Sequence, residues 1–270
     1  MSFAKYYIEN GHLKSGNCKS QNKECLVIYD VLRIEKGYPL FIKDHLNRLY
    51  EGIEKSGHQL SVNAEELAQK IKQLITAEKR TEGNIKIECS FLHHEIIECH
   101  YAIYFIPHFY PAPNLYQSGV ECTILNESRS NPSIKVANTP VRLLSNQILE
   151  KTKVFETILA KDNIITEGSR SNIFFFKNDQ LITAPETMVL AGVMRKKVIE
   201  TALKLNIQIK YIAINKNDLP LMDAAFLSGT SLRILPVRKI DEHIYSLPHS
   251  LITELTEGLY RFFIDRGLGK

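Results

Sequence analysis

Between residues 155 and 183 the chain passes through four short apolar stretches, 155–160, 163–166, 171–177 and 180–183, each readable as a strand and separated from the next by a few polar residues. Strands this close in sequence are joined by short turns, without the dozen or more residues and the helix that a parallel crossover usually needs. Over the whole chain strands outnumber helices and many adjoin through short turns, which predicts an α+β fold rather than a doubly wound parallel sheet. One connection is richer than a hairpin requires. Asn-Gly or Asp-Gly would turn the chain, yet "ITEGSRSNIFFF" places Glu167, Gly168, Ser169, Arg170, Ser171 and Asn172 in a row. Glu167 is therefore a candidate for a carboxylate held in place for chemistry.

The remaining pattern is mixed. "FAKYYIENGHLKSG" reads as a strand turning at Asn10-Gly11, and "ECLVIYDVLRIEKGYPLF" as a second hairpin bending at Gly37. Ile42, Leu46, Leu49 and Ile53 recur at helical spacing, with Asp44 as a cap or first-turn acid. A second helix is expected over 63–78, then strands near 83–91 and 96–106. The stretch 106–119, "IPHFYPAPNLYQSG", carries three prolines and a glycine and interrupts every periodicity around it. It suggests a small N-terminal α/β domain over 1–108, a linker over 109–119 and a larger mixed-sheet, barrel-like C-terminal domain over 120–270. In that second part the pattern predicts a strand near 120–126, helices over 143–153, 192–205 and 248–265, and further strands near 208–213, 222–229 and 234–240.

Lys plus Arg number 34 against 30 acidic residues, a formal charge of +4 spread without a block. That is too mild to imply nucleic acid or an anionic membrane as partner. The five cysteines form no C-x-x-C pair, and no membrane-length apolar run or N-terminal signal core is present, which fits a reduced cytoplasmic protein. P-loop, dinucleotide-binding, zincin and nucleophile-elbow motifs are missing. His94, Ile96, Glu98 and His100 alternate, so a strand would put two histidines and a carboxylate on one face. A half-solvated strand face accounts for them, and no metal site is expected.

Separated segments make sense together: Arg48 in "HLNRL", Lys135 in "SIKVAN", Glu167 in "TEGSRSN", the helix opening at "LAGVMRKK", and the strand ending at Gly229-Thr230-Ser231. Helix N-termini and Gly/Thr/Ser turns offer N–H and hydroxyl groups to a phosphate. With "ITEGSRSNIFF...LITAP...VLAGVMR" as the strongest block and "IYDVLRIEKGYPLFIKDHLNRL" second, the sequence resembles the fold-type IV pyridoxal-phosphate enzymes over about residues 26–240. This group is the class IV aminotransferases: branched-chain and D-amino-acid aminotransferases with aminodeoxychorismate lyase. Lys135 precedes Glu167 by 32 residues, Tyr29 precedes Arg48 by 19, and Lys135 with Asn138 gives the family's K-x-x-N.

The resemblance implies pyridoxal 5'-phosphate as cofactor, Lys135 as its Schiff-base lysine and proton carrier, and Glu167 as partner of the pyridine nitrogen. Arg48 and Thr230, with backbone groups around Val193, Met194 and Ser231, would hold the phosphate. Tyr29 and His94 would face the substrate. A homodimer is also implied. Three features depart from the common pattern: Met194 stands where many members have Thr, "CLVI" replaces the Asp-Gly before Tyr29, and "CSFLHHEIIECH" takes the place of an arginine-glycine loop that helps recognise substrate carboxylates. The expected reaction moves an amino group between an amino acid, branched-chain ones included, and a 2-oxo acid. The alternatives are an aminodeoxychorismate lyase releasing pyruvate and 4-aminobenzoate, and a cofactor-binding protein without turnover.

Overall fold

The computed structural model describes residues 4–18, 25–92 and 99–264, and every structural statement below is made of these. The chain divides into two compact units, Met1–Phe109 with Ile134–Ala137, and Tyr110–Ser133 with Asn138–Lys270. The contiguous division read from the sequence differs in two respects. The four residues around Lys135 join the first unit, because Ile134 is buried in its core and Val136 packs against that core. Most of the stretch read as a linker belongs to the second unit and carries a short helix, Leu115–Ser118.

In the first unit, strands β1 (Tyr6–Glu9), β2 (His12–Ser15), β3 (Cys25–Glu35), β4 (Tyr38–Pro39), β5 (Gly83–Leu92) and β6 (Cys99–Ile106) form an antiparallel sheet in the order β2-β1-β6-β5-β3-β4. Helices α1 (Ile42–Lys55) and α2 (Ala64–Glu78) supply Leu46, Leu49, Ile53, Leu67, Ile71 and Leu74 to one core with Ile28, Leu32, Ile85, Ile87 and Ile103. Burying each such side chain contributes about 1.5–3 kcal/mol. Asn10 and Gly11, and Lys36 and Gly37, all have positive φ, the backbone of tight primed hairpin turns. Asp44 is a first-turn acid of α1 rather than its cap, and the side chain of Asn63 caps α2 by accepting from Glu66 N at 2.9 Å.

The second unit opens with α3 (Leu115–Ser118), β7 (Val120–Leu125) and α4 (Pro140–Thr152), followed by β8 (Glu156–Lys161), β9 (Ile164–Gly168), β10 (Asn172–Lys177) and β11 (Gln180–Thr183). It continues through α5 (Val193–Lys204), β12 (Ile209–Tyr211), β13 (Ala224–Gly229), β14 (Arg233–Ile240), β15 (His243–Ile244) and α6 (Ser250–Ile264). The curled sheet runs β12-β11-β10-β13-β14-β7-β8-β9, with β15 on β14. It is mixed: β11/β12, β14/β7 and β7/β8 are parallel and the other pairs antiparallel.

"NIFFF" is apolar at every position but the first because β10 is covered on both faces. Ile173 and Phe175 enter one core with Ala225 and Leu227, while Phe174 stacks on Phe226 with ring centroids 5.0 Å apart on the other face. Helix α4 begins three residues earlier than the periodicity suggests. Thr139 caps it by accepting from Arg142 N, and Pro140 occupies its first turn, a local start signal outside the apolar pattern.

Candidate active site

Lys135 lies in a short extended segment laid along β3. Ile28 and Val136 form an antiparallel bridge, Tyr29 N donates to Lys135 O at 3.0 Å, and Ala137 N donates to Val27 O at 2.9 Å. These bonds fix the backbone on both sides of the lysine. Its Nζ sits 4.9 Å from the centroid of the Tyr29 ring, and the Lys86 ammonium sits 5.0 Å from the same ring. Lys86 is ion-paired with the buried Glu88, which also accepts from Tyr104 Oη at 2.8 Å. Strand alternation explains the grouping: Tyr29, Lys86, Glu88 and Tyr104 share the sheet face turned away from the helices.

On the helix-covered face, Asp30 meets α1. Arg48 forks onto it, Nε to Oδ2 at 2.8 Å and Nη2 to Oδ1 at 2.7 Å, while His45 Nδ1 lies 2.7 Å from Oδ1. Burial pushes the Asp30 carboxyl up, but the Arg48 guanidinium and the hydrogen bonds from His45 and Arg48 outweigh it and hold the group well below the usual carboxylate range. Burial drives His45 down, helped by the Arg48 and Lys135 cations and opposed by Asp30. The imidazole is therefore neutral, donating from Nδ1, and its buried Nε2 has no hydrogen-bond partner. Arg48, expected at a phosphate, is thus engaged by a carboxylate through Nε and Nη2, two of the three nitrogens of its guanidinium.

In the second unit Glu167, the penultimate residue of β9, is 2% exposed. Its Oε1 accepts from Arg129 Nε at 2.9 Å and its Oε2 from Leu190 N at 3.2 Å. The guanidinium and the backbone N–H fix this carboxylate in direction. The turn beyond it is equally ordered. Gly168 N donates to Ser171 O, and a Cβ on Gly168 would come within 2.2 Å of Ser171 Oγ, so only glycine fits.

The start of α5 lies against the same end of the sheet. Asn172 Nδ2 donates to Leu190 O at 3.0 Å, and a Cβ on Gly192 would meet Asn172 Oδ1 at 2.0 Å. Gly192 caps α5 without a side-chain hydrogen bond, so the first N–H groups of the helix, Val193 and Met194 among them, are not used by a capping side chain. Asn172 also pairs with Ser228 near the end of β13, which puts the half-buried Thr230 and Ser231 in the turn after that strand's last residue.

The matching family model is that of the amino-transferase class IV proteins, over residues 27–240. The chain belongs to the class IV aminotransferases. A D-alanine aminotransferase of Bacillus licheniformis is 26% identical over 223 residues, covering 79% of this chain and 78% of that protein. The branched-chain amino acid aminotransferase of Escherichia coli superposes with a TM-score of 0.86 at 19% identity, covering 96% of this chain and 95% of that one. The T.th. branched-chain amino acid aminotransferase, solved with pyridoxamine 5'-phosphate, gives 0.87 at 17% identity over 98% and 96%. Both structures establish the two-unit α+β fold, and the class IV family is one of pyridoxal-phosphate enzymes.

Within the first unit the class IV chain brings Lys135 to Tyr29 and Arg48 to Asp30. Within the second it brings Glu167 beside the approach to Val193 and Met194. His94 lies outside the described residues, as does Glu98. His100, from the same alternating stretch, bonds Glu9 at 3.0 Å. Sequence reading passes over Arg129, Asp30, His45 and Lys86. Arg129 stands six residues before Lys135 in a loop with no periodicity, and only its partner reveals it. Asp30 and His45 do carry a signal, since both are polar residues at core positions of otherwise apolar patterns. None of the described helices is long and apolar enough to cross a membrane.

Proposed function

We propose that this chain is a pyridoxal-phosphate aminotransferase that moves an amino group between an amino acid and a 2-oxo acid. The observation that carries the reading is the buried Glu167 carboxylate, held by Arg129 in a chain whose residues 27–240 match the class IV family. The donor set of the second unit suits a group with a basic ring nitrogen and a phosphate: a fixed anion, the open first turn of α5, and two hydroxyls. Bound pyridoxal phosphate supplies a sink for the electrons released when the substrate Cα loses its proton.

This chain's residues supply the rest. Lys135 would anchor the cofactor, and its amine would carry the proton to and from the substrate Cα. Glu167 would hold a proton on the pyridine nitrogen, and Arg129 holds the Glu167 carboxylate in place for that task. The N–H groups of Val193 and Met194, the Thr230 hydroxyl, Ser231 and Arg48 bind phosphate. With Met in place of Thr at 194, only the backbone N–H can donate at that position. Tyr29 orients the substrate beside the Lys135 amine, and His94 belongs to the same substrate-facing role. The protein works as a homodimer in the cytoplasm.

The test is a panel of amino donors, D-alanine and branched-chain amino acids included, with 2-oxo acid acceptors, run beside an assay of pyruvate release from aminodeoxychorismate. Amine transfer supports the proposal. Pyruvate release without transfer assigns the lyase reaction instead, and cofactor binding with neither leaves a binding protein without turnover.

A further inference from the structure

Glu156 opens β8 and is 2% exposed. Its Oε1 accepts from Thr157 N at 2.9 Å and Ser169 Oγ at 2.7 Å; its Oε2 accepts from Arg170 N at 3.0 Å and Ser171 Oγ at 3.1 Å. All four donors are neutral, and three belong to the turn that follows Glu167. Burying a carboxylate on neutral donors carries a desolvation cost that those bonds must offset, an arrangement a simple β-turn does not demand. The turn is tied from other directions at the same residue. Ser145 on α4 bonds both Ser169 Oγ and Thr157 Oγ1 at 2.7 Å, Ser169 N donates to Thr157 O, and the Ser169 carbonyl accepts from both Arg129 and Arg142.

We propose that Glu156 is a positioning residue for Glu167. By holding Ser169, Arg170 and Ser171 from below, it fixes the exit of β9 and so the direction in which the Glu167 carboxylate points. The inference rests on the cofactor role given to Glu167 above. Groups that act at a centre need supporting partners locked in turn, and removing such partners costs about 10- to 100-fold in affinity or activity. An amide at 156 has one acceptor oxygen and an NH2 group that would face N–H and O–H donors, so it cannot reproduce the four bonds.

The experiment is a double-mutant cycle on pyridoxal-phosphate affinity, read by absorbance, with E156Q, E167Q and the pair. The expected result is that E156Q weakens binding about tenfold in the natural background and less than about threefold once E167Q has removed the carboxylate it positions. Equal factors in both backgrounds, or no effect of E156Q, overturn the proposal and reduce Glu156 to general support of the fold. Should E156Q fail to fold, Ser171→Ala removes one donor and is expected to show the same background dependence at about two- to threefold; equal effects there also overturn it. Failure of the functional reading is distinguishable, because then the unsubstituted protein itself binds no pyridoxal phosphate.

Discussion

Arg129 donates from Nε to Glu167 Oε1 at 2.9 Å and from Nη2 to the Ser169 carbonyl at 2.8 Å, so one guanidinium spans both sides of Gly168. Arg129→Met leaves the Glu167 carboxylate buried without its cation. Stability at pH 7 is expected to fall by about 2–3 kcal/mol, the scale of a charged hydrogen bond left unmade, and Arg129→Lys should recover part of it. Urea unfolding of the three proteins measures this, and a loss below about 0.5 kcal/mol would show that the pair is not holding the turn.

The Asp30–His45–Arg48 cluster predicts an acid-sensitive fold. His45 is held below its ordinary value in the folded chain, whereas in the unfolded chain it takes a proton near about pH 6.5. The unfolded state therefore binds more protons below that pH, and stability should fall as pH drops from about 6.5 towards the folded value. Asp30, also held low, contributes stability above about pH 3.9 that is lost as pH falls through its folded value, a separate and more acidic window. Melting temperatures from pH 8 to 5 should be level and then decline, and His45→Gln should remove the decline whatever its own baseline. A decline of equal slope in the variant contradicts the assignment.

Gly192→Ala places a methyl carbon where Asn172 Oδ1 now sits. The amide must swing away, and its bond to the Leu190 carbonyl breaks. A cost of about 1–3 kcal/mol is expected from the forced fit, with weaker pyridoxal-phosphate binding because the start of α5 moves. Calorimetry and a cofactor titration measure the two effects. Unchanged affinity would remove the start of α5 from the binding site.

Much of this architecture is legible in the sequence because local rules and burial agree. The hairpin turns at Asn10-Gly11 and Lys36-Gly37, the α1 stripe and the all-apolar β10 each carry their own signal. Glu167 is also visible, since a carboxylate among small polar residues between two strands has no role in a plain turn. Its anchors are not. Arg129 and Glu156 act through tertiary hydrogen bonds that leave no periodicity, and a charged residue read alone is most often a solvated one. Sequence order alone places the Lys135 segment in the C-terminal stretch 120–270. Ile134 and Val136 decide otherwise by packing into the first core, a choice set by two apolar residues in a polar loop.

The ring of Tyr29 lies under both Lys135 and Lys86. Tyr29→Phe keeps that face and Tyr29→Leu removes it, releasing the Lys135 side chain from its position. Transfer measured as kcat/KM should fall less than about threefold for the first and at least about tenfold for the second, in line with the sensitivity of reacting groups to small displacements. Similar losses in both variants would shift the role from the ring to the phenol hydroxyl.

Lys135 is the residue proposed to anchor the cofactor. Borohydride reduction of the protein loaded with pyridoxal phosphate, followed by peptide mapping, tests this directly. A single stoichiometric phosphopyridoxyl label on Lys135, absent from Lys135→Ala, is expected. A label on Lys86 or any other lysine, with Lys135 unmodified, would contradict it.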